Sequence, residues 1–127
     1  MKRILVIESD PSVRELLGLA LLKRGYHVTL AEDILGGYQT ALFIKPDLIV
    51  TEVHATTPQS IRIVKDIRET GALCNVPILV TTTFGTGIAT FSLQQGANGY
   101  EPKPIDTRSF VRTVERLLAE SNTVKAA

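Results

Sequence analysis

Cysteine occurs once in the 127 residues, at Cys74, so no internal disulfide can form. No histidine or second cysteine stands at ligand spacing to make it part of a zinc site. It reads as a loop or packing residue. An excess of one charge is lacking as well: 14 lysines and arginines stand against 13 aspartates and glutamates, a formal net charge of +1. The whole molecule therefore has no attraction for nucleic acid or anionic lipid, and a partner must be selected by a local site. Long apolar runs are missing too. None approaches the roughly 20 residues that span a bilayer, and Met1-Lys2-Arg3 leads into a short apolar stretch that cannot serve as the core of a signal peptide. The expected location is the cytoplasm, with no membrane contact.

What is present suits one domain. With 44% hydrophobic and 21% charged residues, a chain of this length buries about two thirds of the surface that its unfolded form exposes. A second domain does not fit.

Two periods alternate along the chain. "RILVI" (Arg3 to Ile7), "HVTLA" (His27 to Ala31), "LIVTE" (Leu48 to Glu52) and "ILVTT" (Ile78 to Thr82) are short runs rich in β-branched residues, mostly apolar throughout, as strands covered on both faces are. A fifth short strand is expected around "GYE" (Gly99 to Glu101). Between them lie one-faced helices, marked by Val13, Leu16, Leu17, Ala20 and Leu21, then Ile34, Tyr38, Ala41 and Leu42. Ile63, Val64 and Ile67 follow, and last Phe110, Val114, Leu117 and Leu118. Asp10-Pro11 supplies an N-cap and a first-turn proline, Gly25 ends the first helix, Lys45-Pro46 ends the second, and Asp106 caps the last. The stretch Phe84 to Gln95, "FGTGIATFSLQQ", has two glycines in its opening turn and only Ile88, Phe91 and Leu93 as anchors. It predicts a short or mobile helix.

Strand and helix alternating five times predict a parallel sheet with right-handed crossovers and helices on both faces, a doubly wound α/β domain with strand order 2-1-3-4-5. Its ligand crevice lies beyond the carboxyl ends of the strands, where the order reverses between the first and third. Those strands end at Glu8 and Glu52. The loops after the fourth and fifth strands bring Thr82, Thr83 and Lys103 to the same rim. Two carboxylates, a hydroxyl and an ammonium should converge there. The rim is a poor nucleotide or flavin phosphate site, because the first turn, "ESDPS", has no glycine, a proline without an N–H, and two acids that repel phosphate. "GTG" at Gly85 to Gly87 lacks the lysine of a phosphate-binding loop.

The segments "ILVIESDPSVRELL", "PDLIVTE", "PILVTTTF" and "GANGYEPKPID", in this order and spacing over nearly the whole chain, resemble the receiver domain of two-component response regulators, a flavodoxin-like fold. The resemblance implies an acidic pair after the first strand that holds Mg²⁺, at Glu8 and Ser9, and a phosphoacceptor at the end of the third strand, at Glu52. It implies a switch hydroxyl at Thr82, a reporting aromatic at Tyr100 and the lysine of a Lys-Pro pair at Lys103, with Pro104. It further implies a partner-docking and dimerisation face on the fourth helix, fifth strand and fifth helix, with residues 1–120 as the receiver-like domain and 121–127 as a short tail.

The chain departs from that pattern where chemistry would occur. The acceptor is glutamate in place of aspartate, which moves the carboxylate outward by about 1.5 Å, and Ser9 stands where the pattern has a metal-ligating acid. In-line phosphoryl transfer depends on positioning, and Mg²⁺ demands anionic oxygens in octahedral geometry. Asp10 belongs to the acidic loop but is better placed as the helix cap. The loop proline is displaced to Pro58, Ser60 replaces a glycine, and Thr82 to Gly96 is one residue shorter than the pattern.

Two readings follow. The favoured one is an atypical receiver acting as a phosphorylation-independent interaction module, with no enzymatic activity and no cofactor. It would bind a signalling protein, or a second copy of itself, through the docking face, and no nucleic acid. The alternative is a competent receiver that accepts a phosphoryl group from a histidine kinase despite Glu52, with a weak Mg²⁺ site at Glu8 and Glu52. Blander roles stand beside these. Glu52 and Lys103 can be a structural ion pair, Thr82 and Thr83 strand-end hydroxyls, and Tyr100 an edge aromatic. His54 shares a side with Glu52 if the strand continues, but a loop histidine is more often solvated than a ligand in a Glu8, Glu52 and His54 metal site. Arg108, Arg112 and Arg116 read as a solvated stripe, with nucleic-acid binding a minor alternative.

Overall fold

Alternate residues of each strand feed opposite cores, and the two cores define the layers. The computed structural model describes residues 1–83, 85 and 87–126; Phe84 and Thr86, part of the stretch expected to form the fourth helix, lie outside the described residues. The order is β1 (Arg3–Ile7), α1 (Pro11–Leu22), β2 (His27–Ala31), α2 (Ile34–Ile44), β3 (Leu48–Glu52), α3 (Pro58–Arg68), a 3₁₀ turn (Gly71–Leu73), β4 (Ile78–Thr83), α4 (Ile88–Gln95), β5 (Gly99–Lys103) and α5 (Thr107–Ala126). All pairings are parallel and the strand order is β2-β1-β3-β4-β5, the doubly wound sheet expected from the alternating periods.

Leu5, Ile7, Ile49 and Val80 pack with Ile63, Val64 and Ile67 on the α2 and α3 side. Ile4, Val6, Val50 and Leu79 pack with Leu17, Leu21, Phe110 and Val114 under α1 and α5. This one-in, one-out alternation is the strand period acting in a sheet covered on both faces. Gly37 lets α2 lie close to β1, since a Cβ there would come within 2.5 Å of the Ile7 side chain.

The capping residues act as the sequence predicts. Asp10 accepts from the Ser12 and Val13 N–H groups, at 2.8 and 3.4 Å, and Asp106 accepts from Arg108 and Ser109. α4 has eight residues, entered and left through left-handed glycines, Gly87 and Gly96. Its C-terminal end is tied down by Arg68, which donates to the Gly96, Cys74 and Val76 carbonyls and to Asn98. Residues 121–126 continue α5 where a short tail was expected: "SNTVKA" contains no glycine or proline to stop a helix. No described helix is long and apolar enough to cross a membrane.

Candidate functional site

The carboxyl ends of β1, β3 and β5 bring together the groups that the sequence places at the rim. Glu8 follows the last residue of β1, its N–H bonded to the Ala31 carbonyl of β2 at 3.0 Å, and is 0% exposed. Glu52 closes β3 and is 3% exposed. Lys103 closes β5 and lies between them, with Nζ 2.8 Å from Glu8 Oε1 and 3.6 Å from Glu52 Oε2. The closer partner of the lysine is therefore Glu8, and the Glu52–Lys103 pair expected from the sequence is the longer arm of a three-membered cluster.

Three of the four carboxylate oxygens are hydrogen-bonded to protein groups, and the fourth, Glu8 Oε1, has the Lys103 ammonium beside it as an ion pair without a hydrogen bond of its own. Glu52 Oε1 accepts from the Ser9 N–H at 2.9 Å, and its Oε2 faces both Lys103 and His54 Nε2, the latter at 3.0 Å. Glu8 Oε2 accepts from the Asp10 N–H at 3.0 Å, while Oε1 meets Lys103. Ser9 and Asp10 thus serve the pocket through their backbones. The Asp10 carboxylate is turned away to cap α1, so it does not join the acidic pocket. Among the described residues no three His, Cys, Asp or Glu side chains form a group suited to a metal ion.

His54 is the residue whose role sequence reasoning missed. It was read as a solvated loop side chain, yet its ring is bonded to the buried Glu52. The signal was the alternation that puts residues 52 and 54 on one side. What holds the chain in that path is Ser60, the replacement for the pattern's glycine. Its buried hydroxyl accepts from the His54 N–H at 2.9 Å and lies 2.9 and 3.1 Å from the Thr57 and His54 carbonyls. Ser60 is a positioning residue for His54. The opening onto Glu52 is a cleft of about 410 Å³ lined by Ser9, Asp33, Ile34, His54, Thr57 and Ser60, among others.

The pair of carboxylates titrates unequally. Burial raises the Glu8 carboxyl, and a proton shared toward Glu52 raises it further, while Lys103 and the Asp10 N–H pull the other way. Burial also acts upward on Glu52, but hydrogen bonds from Glu8, the Ser9 N–H and His54 outweigh it and hold that carboxyl at about 2, against an ordinary 4.5. A depressed folded-state value stabilises above the unfolded value and is lost on acidification, whereas the raised Glu8 acts in the opposite sense, its contribution fading as pH rises. The stability difference between wild type and Glu52→Gln should therefore shrink by about 3 kcal/mol as pH falls from 4.5 to about 2. Urea titrations of both proteins across that range measure it; a pH-independent difference would contradict the assignment.

Thr82 is buried at 3% exposure but makes no hydrogen bond to Glu8, Glu52 or Lys103 among the described residues. Strand alternation sets it with Val80 on the α2 and α3 side, the side that Tyr100 shares through the register Val80–Tyr100 and Thr82–Pro102. Tyr100 is 46% exposed. Arg108 and Arg112 line a cleft toward α1, away from Tyr100, and Arg116 pairs with Glu120 at 3.1 Å. Of the three arginines, Arg116 is the one beside β5, close to Gly99. The inner side of β5 holds a third buried carboxylate, which the sequence did not signal: Glu101, 5% exposed, accepts from Ser109 and Thr113 of α5.

A family model for the response regulator receiver domain matches residues 4–115. The chain is 28% identical over 130 residues to the DNA-binding dual master transcriptional regulator RpaA of Synechocystis, a match covering 100% of this chain and 53% of that protein. It is 31% identical over 126 residues to the response regulator MprA of Mycobacterium bovis, covering 98% and 54%. The chain thus spans about half the length of the curated relatives it matches. The chemotaxis response regulator CheY4 of Vibrio cholerae superposes with a TM-score of 0.84 over 92% of this chain and 98% of its own, at 24% identity, a likeness of fold.

Proposed function

The chain belongs to the response regulator receiver family, and we propose that within two-component signalling it is an atypical member, a protein-interaction module that works without phosphorylation. The observation that carries this reading is the engagement of Glu52. Both of its oxygens are held by protein donors, one of them the chain's own histidine. A carboxylate so held is a poor nucleophile, and its extra methylene carries it beyond the reach of a shorter acid. In-line transfer loses about 100-fold for an error of about 1 Å.

Mg²⁺ has no part in this reading. The ion wants six oxygens in near-octahedral array, whereas here a lysine ammonium lies 2.8 Å from Glu8 and residue 9 offers a hydroxyl in place of an acid. The ammonium supplies the cationic neutralisation that a metal would otherwise provide, and the His54 ring occupies the Glu52 oxygen beside it.

Function then resides on the face made by α4, β5 and α5. Tyr100 at 46% and Leu93 at 41% exposure supply apolar contact there, and tyrosine is among the residues enriched at binding hot spots. The pocket biases this face only weakly, because Thr82 is not bonded to the carboxylates and Glu52 bears about one negative charge where a phosphoaspartate bears about two. In a pull-down from the native host, Tyr100→Ala should abolish recruitment of the signalling partner while Glu52→Gln retains most of it, both variants remaining folded by circular dichroism. The reverse ranking would make the pocket charge itself the signal; equal losses would mean that pocket and face are still coupled as in a phosphorylated receiver.

A further inference from the structure

The helix at the opposite edge of the sheet from β5 carries an apolar face that the docking reading does not use. α2, "ILGGYQTALFI", contains no charged residue, and its apolar side chains lie all round. Such a helix is ordinarily covered on every side. Here Gly37 and Ala41 face the core, yet Leu35 is 66%, Leu42 39% and Phe43 89% exposed. With exposed Gln39 between them, positions 35, 39, 42 and 43 follow the steps of one helix face. Beyond the helix, exposed Glu32 and Asp33 lie at its N-terminal end and exposed Lys45 at its C-terminal end.

We propose that this face pairs with the same face of a second copy of the chain, α2 antiparallel to α2, about a two-fold axis through Gln39. The pattern is self-complementary, as an isologous interface requires. The axis sets Leu35 of one copy against Phe43 of the other and brings the two Gln39 amides together. It also lays Glu32 opposite the Lys45-Pro46 end, so that the acidic entry of each helix meets the basic exit of the other. Antiparallel packing opposes the two helix dipoles in the same favourable sense. One helix face is smaller than the roughly 800 Å² per partner of a stable interface, so the dimer is weak and concentration-dependent. It leaves the α4, β5 and α5 face free in both copies and does not rest on the reading of that face.

The test uses the full chain with Cys74→Ser, so that an introduced thiol is the only one. Gln39→Cys, on the axis, should form a disulfide dimer under mild oxidation at least about tenfold faster than Lys65→Cys on the exposed side of α3, which serves as a collision control. Phe43→Asp in the Gln39→Cys chain should remove that advantage. Glu32→Lys should slow cross-linking, and adding Lys45→Glu should restore it. Sedimentation of the unaltered chain should show a dimer fraction that rises with concentration and falls on Phe43→Asp, with a dissociation constant raised by at least about tenfold. Circular dichroism checks that each variant is folded. Cross-linking at Gln39→Cys no faster than the control, failure of the charge exchange to restore it, or a monomer at every concentration would overturn the proposal. Any of these would leave the face to a different occupant.

Discussion

Lys103→Met should lower the melting temperature by about 10–20 °C, the largest stability effect expected of any substitution in the site. Methionine keeps most of the apolar stem and removes only the ammonium. What remains is two carboxylates, 0% and 3% exposed, facing each other without the ammonium between them. Removing one partner of a buried ion pair costs about 3–5 kcal/mol, because the charge left behind is unsatisfied in a poorly solvated place. For this cluster the cost falls mainly on Glu8, whose Oε1 has Lys103 as its contact at 2.8 Å. Adding Glu8→Gln to Lys103→Met should therefore recover about half of the loss, since a neutral amide needs no counter-charge. That recovery is a non-additivity of the kind that contacting residues produce. Thermal melts of the two variants and the double variant measure it. A loss of less than about 3 °C for Lys103→Met would mean that water, not the lysine, neutralises the pocket.

The second large effect is a gain. Wild-type protein and Ser9→Asp should take up no detectable phosphoryl group, Glu52→Asp should take up little, and the double variant should react at a rate at least about 100-fold above the detection limit that bounds wild type. Shortening residue 52 withdraws its carboxylate from His54 by about 1.5 Å, freeing an oxygen for attack. It does nothing for the metal, because residue 9 still lacks an acid. Restoring the acid at residue 9 alone gives Mg²⁺ a ligand beside Glu8 but leaves the nucleophile overextended and bonded. Each change removes one of two defects at a single reaction centre, so their combined effect should exceed the sum of the separate ones. Initial rates from phosphorylation with acetyl phosphate and Mg²⁺ decide this, and strict additivity would contradict the shared-centre account.

The architecture was legible in the sequence because its signals are local. Four short β-branched runs, four well-marked helical periods, and caps at Asp10 and Asp106 each act within a few residues. The rim was legible too, since strand ends in a doubly wound sheet meet at one edge whatever their side chains. The details that were not legible depend on segments distant in the chain. Arg68 binds carbonyls at residues 74, 76 and 96, and nothing in the pattern around it announces that role. His54 reaches Glu52 only because Ser60 fixes the backbone beyond the end of β3, a coincidence of two loop residues that no periodicity reports. Arg108 and Arg112 were assigned to one stripe with Arg116, but the choice between the α1 side and the β5 side depends on where α5 lies, which spacing alone does not give. Nothing in the pattern around Glu101 marks it for burial, which goes with Ser109 and Thr113 presenting hydroxyls across the α5 interface.

The measurement that bears most directly on the central claim is the intact mass of the unaltered protein after incubation with acetyl phosphate and Mg²⁺, read under mild, non-hydrolysing conditions. The engaged, overlong carboxylate and the incomplete metal site predict an unchanged mass. An increase of one phosphoryl group that maps to Glu52 would contradict the account and restore the phosphorylation-competent reading.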